Sequence, residues 1–307
     1  MTDSIVDTLA SEDVLHRFLL EKAGVRGVLV RLGASWHEIA SRVDYPADLR
    51  DTLGQAVAAS ALLTGNIKFE GSLSLEFKSQ GALRLLFAEC TDKGRLRGLA
   101  RFDADALPAP GTLDLSELPE SALAITIGHV DRGRYQGLVE LESASIAQAL
   151  ENYFERSEQL PARILLAADS RHAVGLILQP VPGEGGHSAA EADEDAWERV
   201  GHLTATLSAS EMLGTRPEEL LYRLYHEETV RLYEPKPLEF GCTCSQERVE
   251  GMLRALGREE VEATLEDRNG EIEVVCEFCA TRYVFDRVDA ERLLTQAETP
   301  PSPSTLQ

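Results

Sequence analysis

The amino-acid sequence predicts an α+β fold: an N-terminal domain on an antiparallel β-sheet with helices, a metastable helical linker and a small C-terminal domain with four cysteines. Three observations predict it: a long region of alternating apolar and polar residues, an acidic segment poor in large apolar residues, and two close pairs of cysteines near the C-terminus. The 307 residues suffice for about two domains with cores of their own. We place the core domain at residues 1–182, the linker at 183–237, the cysteine domain at 238–296 and a disordered tail at 297–307.

Two helices are predicted before the alternating region. Residues 35–38 (SWHE) match a capping box, and a helix through Ile39 and Val43 would end before Pro46. A second helix is predicted over residues 47–63, with Gly65 as its C-terminal stop. These helices would pack on the sheet that follows.

The sheet is predicted from a period of two in the apolar residues, which indicates half-buried strands. The alternating residues are Ile67, Phe69, Leu73, Leu75 and Phe77, then Leu83, Leu85 and Phe87. Turns at 79–81 and 91–94 separate these runs, and residues 123–127 and 135–141 continue the series. Helical spacing returns over residues 146–154, before a final hairpin of residues 162–167 and 174–179. Strands joined by short turns favour an antiparallel sheet.

The linker combines an acidic joint with short helices. Residues 181–200 are small, polar and acidic, as in mobile segments. Trp197, Val200, Leu203 and Leu207 then form a helical stripe, and residues 215–218 (TRPE) predict a capping box. The following helix has an apolar face, made of Leu220, Leu221, Leu224 and Tyr225. Such short, charged helices are marginal alone and need a surface to pack on.

Composition and motifs exclude several functional classes. The chain has 30 basic and 52 acidic residues, a net charge of −22, so most of its surface would repel nucleic acid. The first 18 residues are acidic rather than basic, and the apolar stretch at 56–63 is too short to span a bilayer. We therefore expect a cytoplasmic protein without a membrane partner. Neither a glycine-rich phosphate loop after a strand nor a G-x-S-x-G motif is present, so we expect no enzyme.

Four of the five cysteines form one pattern. Cys242 and Cys244 make a C-x-C pair, 31 residues separate it from the next cysteine, and Cys276 and Cys279 make a C-x-x-C pair. In a reducing compartment, clustered cysteines indicate metal ligands or redox groups. Two close pairs brought together across a loop suit tetrahedral Zn²⁺, which binds four thiolates at about 2.3 Å.

Four interpretations of this pattern compete. A permanent structural zinc knuckle is the simplest. A thioredoxin-like dithiol is less favoured, because the C-x-x-C lies between strand-like runs rather than at the start of a helix. A nucleic-acid-binding ribbon is opposed by charge, since residues 238–296 carry seven arginines and fourteen acidic residues. The fourth interpretation is a zinc site that oxidation switches.

The free energies that zinc and disulfides contribute to folding permit such a switch. Structural zinc contributes roughly 10–16 kcal/mol to the folding of a small domain. Disulfides within the two pairs would close loops of three or four residues, worth only about 1.5–2 kcal/mol each, and neither would span the 31-residue gap. Exchanging one metal for two local bridges would therefore let the region unfold. The spacing alone does not choose between a permanent and a switched site.

Several segments together resemble the heat shock protein 33 family. They are FGCTCSQER (240–248), VVCEFCATRYVF (274–285), LLYRLYHEE (220–228) and a longer stretch, RYQGLVELES to ALENYFERSEQLPARI (134–164). The resemblance runs from residue 13 to about residue 290, in the same order as in the family. These are redox-regulated bacterial holdase chaperones, also called 33 kDa chaperonins.

The resemblance implies a concrete mechanism. Cys242, Cys244, Cys276 and Cys279 would bind one zinc ion per chain in a reduced, inactive state. Peroxide with heat, or hypochlorous acid, would form the disulfides Cys242–Cys244 and Cys276–Cys279 and release the metal. The cysteine domain and linker would then unfold, and a homodimer would hold unfolding client proteins without ATP. The alternative is a constitutive zinc-stabilised interaction or adaptor protein without a switch, and a thiol–disulfide oxidoreductase ranks third.

Other features of the sequence predict local details. Ala280 stands where the family often has glycine, at a position that favours positive φ, and residues 120–127 (ESALAITI) lack the glycines that relatives often show before this strand. Cys90 is predicted to be a core or strand-end thiol. The apolar faces of the linker are predicted to pack on the core domain, and a client-binding role for them is compatible with that packing. The acidic runs at 191–195 and 259–262 are read as solvated faces, and His187 and His202 show no metal-ligand spacing.

Overall fold

The computed structural model describes residues 13–111, 113–129, 133–142, 145–181 and 195–298, and it confirms the α+β class. The chain divides into two compact units, Met1–Gly241 and Cys242–Gln307. The first unit contains both large sheets, and the described residues of the second unit form a strand pair with three helices. Across the described residues, every helix is too short or too polar to cross a bilayer.

The elements of the two units follow in chain order. The strands of the first unit are β1 (Val14–Leu20), β2 (Val25–Leu32), β3 (Gly71–Lys78), β4 (Leu83–Thr91), β5 (Arg95–Phe102), β6 (Ala122–His129), β7 (Gly133–Val139), β8 (Arg163–Ala168), β9 (Ala173–Pro180), β10 (Val230–Leu232), β11 (Lys236–Pro237) and β12 (Glu239–Phe240). Its helices are α1 (Ala34–Ala40), α2 (Ala47–Asn66), α3 (Ile146–Arg156), α4 (Ala196–Ala205), α5 (Ala209–Gly214) and α6 (Pro217–Tyr225). The second unit contains α7 (Gln246–Leu256), α8 (Arg258–Asp267), β13 (Glu271–Val275), β14 (Arg282–Asp286) and α9 (Arg287–Glu298).

The strands of the first unit form two six-stranded sheets. The first sheet has the order β10-β1-β2-β9-β8, with β11 also paired to β1, and all its pairs are antiparallel. The second sheet has the order β12-β5-β4-β3-β6-β7, and only the short pair β12–β5 is parallel. The predicted hairpin of β8 and β9 is confirmed. This hairpin belongs to the first sheet. The period of two did not predict the first sheet as a unit, because β2 is buried along almost its whole length and its sequence therefore does not alternate.

The long helix α2 lies in the core of the first unit, packed against strands of both sheets. It continues to Asn66, so the predicted stop at Gly65 is wrong. A Cβ atom at Gly65 would lie 2.7 Å from the Leu15 Cδ1 atom, so glycine serves close helix–sheet packing there. Because the helix extends further, the following strand starts at Gly71 rather than at Ile67.

The capping box predicted at residues 35–38 is also wrong. The carboxylate of Asp13 instead accepts hydrogen bonds from the Gly33 and Ser35 backbone N–H groups, at 2.6 and 2.8 Å, and from the Ser35 hydroxyl at 2.8 Å. Helix α1 therefore begins at Ala34 under an acidic cap supplied by a distant residue. It ends at Ala40, before Val43, and the buried Tyr45 enters the core, where its hydroxyl accepts from the Ala100 N–H.

The capping box predicted at residues 215–218 is replaced in the same way. Helix α6 begins with Pro217, which supplies a pre-set φ and has no N–H to satisfy. A capping box does occur in the linker, where Ser208 and Glu211 exchange hydrogen bonds at the start of α5. This S-x-x-E pattern was visible in the sequence and was missed.

The linker helices α4, α5 and α6 cover one face of the first sheet, as their apolar stripes predicted. Their buried residues are Val200, Met212, Leu220, Leu221 and Tyr225, and those of the sheet are Phe18, Leu20, Val25, Leu29, Ala167, Val174, Leu176 and Leu178. Trp197 packs at the edge of this cluster, and the Arg163 guanidinium lies 5.6 Å from the centre of its ring. The packing predicted for Trp197 and the α6 face is thus confirmed.

Some sequence predictions fall outside the described residues. Residues 182–194, with His187 and the start of the acidic run at 191–195, are among them, as are residues 299–307 of the tail. The domain limits at 182, 237 and 296 stay predictions.

Candidate metal centre

Two local structures position the four cysteines of the second unit. Cys242 and Cys244 lie just before α7, whose first turn is capped by Ser245, since its hydroxyl accepts from the Arg248 N–H at 3.3 Å. Cys276 and Cys279 lie in the turn between β13 and β14. There the Ala280 N–H donates to the Cys276 carbonyl oxygen at 2.8 Å, and the Cys276 N–H donates to the Thr281 carbonyl oxygen at 2.9 Å. These bonds fold the C-x-x-C segment into a tight knuckle.

The knuckle and the C-x-C segment bring all four sulfur atoms together. The four Sγ atoms lie within 4.8 Å of one another, with 3.6 Å between Cys242 and Cys276 and 3.3 Å between Cys244 and Cys279. A tetrahedron of sulfurs about 2.3 Å from a central ion has edges of about 3.8 Å. The donor set therefore fits a metal ion, and we call these four residues the cysteine cluster. Among the described residues, it is the only group of three or more such side chains placed to hold one.

The thiols of the cluster have unequal acidities. Burial raises the pKa of Cys242 to about 12 and also raises that of Cys276. Burial acts the same way on Cys279, but hydrogen bonds from the Thr281 side chain and backbone and from Cys244 and Cys276 outweigh it and lower its pKa to about 6. The cluster thus favours one thiolate when no cation is present. A bound cation would favour deprotonation of the others, as metal–thiolate binding requires.

Further groups contact the sulfurs from outside the cluster. The Tyr283 hydroxyl donates a hydrogen bond to Cys244 Sγ at 3.1 Å, and Thr281 Oγ1 lies 3.1 Å from Cys279 Sγ. The Cys244 N–H donates to Cys242 Sγ at 3.4 Å. Such contacts orient ligands and tune their basicity. Sequence reasoning missed Thr281 and Tyr283, although their position directly after the C-x-x-C pair was the available signal.

Ala280 adopts the conformation expected for the position after Cys279. Its φ is +56°, in the left-handed region that favours glycine. The cluster therefore carries a local strain that a glycine would relieve.

The core of the second unit is small. Its buried apolar residues are Leu253, Val261, Leu265, Ile272, Phe285, Ala290, Leu293 and Leu294. Domains with cores of this size usually need a metal or disulfides for stability. The cysteine cluster is placed to supply such a cross-link.

The fifth cysteine is a core residue, as predicted. Cys90 lies in β4 and is fully buried. Burial raises its pKa to about 12, so it is held as a neutral thiol.

Comparison with known proteins gives one family. The model of the Hsp33 protein family matches residues 13–286. The 33 kDa chaperonin of Nitrosococcus oceani is 48% identical over 296 residues, which cover 96% of this chain and 99% of that protein. The 33 kDa chaperonin of Pseudomonas paraeruginosa is 43% identical over 290 residues, which cover 94% and 97%. Among solved structures, the 33 kDa chaperonin of Thermotoga maritima has the same fold at 24% identity, with a TM-score of 0.79 over 93% of this chain and 98% of that one.

Proposed function

Because the chain belongs to the Hsp33 family of chaperones, we propose that it is a redox-regulated, ATP-independent holdase. In this proposal the reduced protein is inactive, and oxidation of its cysteine cluster lets it bind unfolding proteins. The observation that carries the proposal is the gathering of four sulfur atoms within 4.8 Å in a unit with a small core.

The reduced state would contain one zinc ion per chain. Cys242, Cys244, Cys276 and Cys279 would hold it, because four sulfur donors suit Zn²⁺ better than the harder Mg²⁺ or Ca²⁺. When bound, the ion supplies a structural cross-link between the C-x-C and C-x-x-C segments. The Tyr283 hydroxyl and Thr281 would orient the sulfurs.

The activating step is the oxidation of the four cysteines to the disulfides Cys242–Cys244 and Cys276–Cys279. As metal ligands these cysteines would be thiolates, so each pair would lose two electrons and no protons. One molecule of hydrogen peroxide would accept the two electrons, take two protons from the solvent and become two molecules of water, so two molecules of peroxide complete the step.

Oxidation would remove the cross-link that compensates for the small core. Each new disulfide closes only a short loop and stabilises by about 1.5–2 kcal/mol, against roughly 10–16 kcal/mol for structural zinc. The second unit would then unfold, and in our proposal the linker helices α4, α5 and α6 detach as well. Their detachment would expose the apolar face of the first sheet, with Phe18, Leu20 and Leu29.

The partners follow from that exposed face. We propose that it binds unfolding client proteins, that the oxidised form is a homodimer, and that the protein acts in the cytoplasm. The net charge of −22 opposes nucleic-acid binding.

Two quantities measured together test the proposal: zinc released to a chromogenic chelator, and aggregation of a heat-unfolded client followed by light scattering. Peroxide at elevated temperature should release about one zinc ion per chain and switch on protection of the client.

Cys90→Ser should behave like the wild type, because Cys90 lies in the core. The double variant Cys242→Ser with Cys279→Ser should contain no zinc and show no change on oxidation. Equal protection by reduced and oxidised protein, with zinc retained, would instead establish the constitutive adaptor.

A further inference from the structure

A cleft of about 570 Å³ opens in the first unit beside the C-terminal end of α2. Four basic side chains line it, those of Arg17, Arg26, Lys68 and Lys236, together with one carboxylate, that of Asp92. The lining thus has three excess positive charges, although the whole chain has a net charge of −22. We call it the cationic cleft.

Strand alternation explains why the two arginines lie together. In β1 and β2, Leu15 and Val28 belong to the core beneath α2, so Arg17 and Arg26 project from the same face of the sheet. On β9, Gln179 lies opposite Arg26. Because α2 ends at Asn66, it leaves Arg17 exposed and Arg26 partly exposed at the end of the sheet, whereas Gln179 is buried beside them.

Several donors in and beside the cleft lack an acceptor. The Gln179 side-chain oxygen accepts from the guanidinium of Arg26 at 2.8 Å and from the amide of Asn66 at 2.9 Å, which fixes the direction of its amide. Within the described part of the chain, the buried Nε2 atom of Gln179 and the buried Nε atom of Arg26 donate to no acceptor. Buried donors without acceptors are destabilising and rare, and a bound acceptor is one way to satisfy them.

Capping of α2 explains only part of this arrangement. The Arg17 Nε atom donates to the carbonyl oxygen of Gly65 at 2.7 Å, which is a favourable contact at a helix C-terminus. Lys236 donates to the backbone oxygen of Asp92. Lys68 has no hydrogen-bond or ion-pair partner among the described residues, so capping leaves its placement unexplained.

We propose that the cationic cleft binds the phosphate group of a small organic phosphate. A phosphate dianion matches the excess positive charge, and its several acceptor oxygens suit the planar fork of an arginine and the ammonium group of a lysine. Ile67, Phe69 and Tyr233 provide an apolar wall for the organic part of the ligand. The volume lies within the range of small-molecule sites, roughly 300–1,000 Å³.

Isothermal titration of the full-length reduced protein with inorganic phosphate, AMP and adenosine tests the proposal. AMP should bind saturably, inorganic phosphate should compete with it, and adenosine should bind at least tenfold more weakly than AMP. Lys68→Gln should weaken AMP binding severalfold and leave the fold intact, since Lys68 is exposed. Combining it with Arg26→Gln should weaken binding at least tenfold.

Arg134→Gln is the matched control. It removes one positive charge from an exposed position on β7, outside the cleft, and should leave AMP affinity unchanged. No saturable binding of either phosphate at millimolar concentration would overturn the proposal. It would also be overturned by adenosine binding as tightly as AMP, or by Lys68→Gln and Arg134→Gln having equal effects.

Discussion

The guanidinium of Arg31 donates a hydrogen bond of 2.9 Å to the backbone carbonyl oxygen of Leu213, which joins strand β2 to the end of the linker helix α5. The same side chain donates to the carbonyl oxygens of Met212 and Thr215, at 3.2 and 3.3 Å. The last carbonyls of a helix have no partner within it, so a buried arginine that collects them holds the helix in place. One residue of the core sheet therefore holds the part of the linker that our proposal requires to detach.

Replacing Arg31 by methionine should loosen α5 without removing apolar contacts. The carbonyl oxygens at the end of α5 would lose their hydrogen bonds from a charged donor. We expect this loss to destabilise the packing of α5 on the sheet by about 2 kcal/mol or more. Such a loss makes local opening of α5 about 30-fold more frequent. Hydrogen exchange of the α5 amides in the reduced protein should become faster by the same factor. Arg223→Met is the control, because Arg223 is exposed and its ion pair with Glu219 lies on the surface of α6. Equal exchange in the two variants would contradict the role of Arg31.

Ala280→Gly should stabilise the cysteine cluster. The φ of +56° costs an alanine roughly 1–2 kcal/mol, part of which glycine returns as greater freedom of the unfolded chain. We expect a net gain of up to about 1 kcal/mol, seen as roughly fivefold stronger zinc retention in competition with a chromogenic chelator.

The same substitution of alanine by glycine should lower stability when it is made in a helix. Ala263 is exposed in the middle of α8, where glycine should destabilise the second unit by about 1 kcal/mol. If both variants weakened zinc retention, backbone strain at Ala280 would not be the relevant property.

Prediction from sequence succeeded where one local pattern determined one structure. Alternation predicted β3, β4, β6 and β7 of the second sheet but not β5 or β12, and the close spacing within each cysteine pair predicted the cluster. It failed where the deciding partner is distant. Asp13 caps α1 from another segment, and β2 shows no alternation because both its faces are covered. The hydroxyl that Tyr283 directs at Cys244 likewise depends on the folded turn.

Tyr283→Phe should weaken the hold of the cluster on its metal. The substitution removes only the hydroxyl that donates to Cys244 Sγ at 3.1 Å. Loss of a contact of this kind typically lowers metal affinity about 10- to 100-fold. A chelator titration should show a shift in this range, whereas Tyr222→Phe, at an exposed position on α6, should show none. Unchanged affinity in Tyr283→Phe would mean that the hydroxyl does not support the ligand.

The reduced, metal-free protein should present four reactive thiols under native conditions and five after denaturation. Cys90 is fully buried, so a thiol reagent cannot reach its sulfur in the folded protein, whereas Cys242, whose pKa is also raised to about 12, is only partly buried. A chromogenic disulfide reagent counts the thiols, and Cys90→Ser should reduce the denatured count to four without changing the native one. Five rapid reactions in native protein would contradict the burial of Cys90.

Acidification should weaken the packing of α6 on the first sheet through His16. This residue is buried in β1, and its Nε2 atom lies 3.6 Å from a carboxylate oxygen of Glu218 in α6. Burial lowers its pKa below 6.5, and the charge of Glu218 opposes that shift only in part. The folded protein therefore binds fewer protons here than the unfolded chain, so this group's contribution to stability is present above about pH 6.5 and is lost as the pH falls.

Between pH 7.5 and 5.5 the melting temperature should fall less in His16→Gln than in the wild type. His202→Gln, at an exposed position on α4, controls for the change of residue, and parallel pH profiles for the wild type and His16→Gln would rule out this source of acid sensitivity.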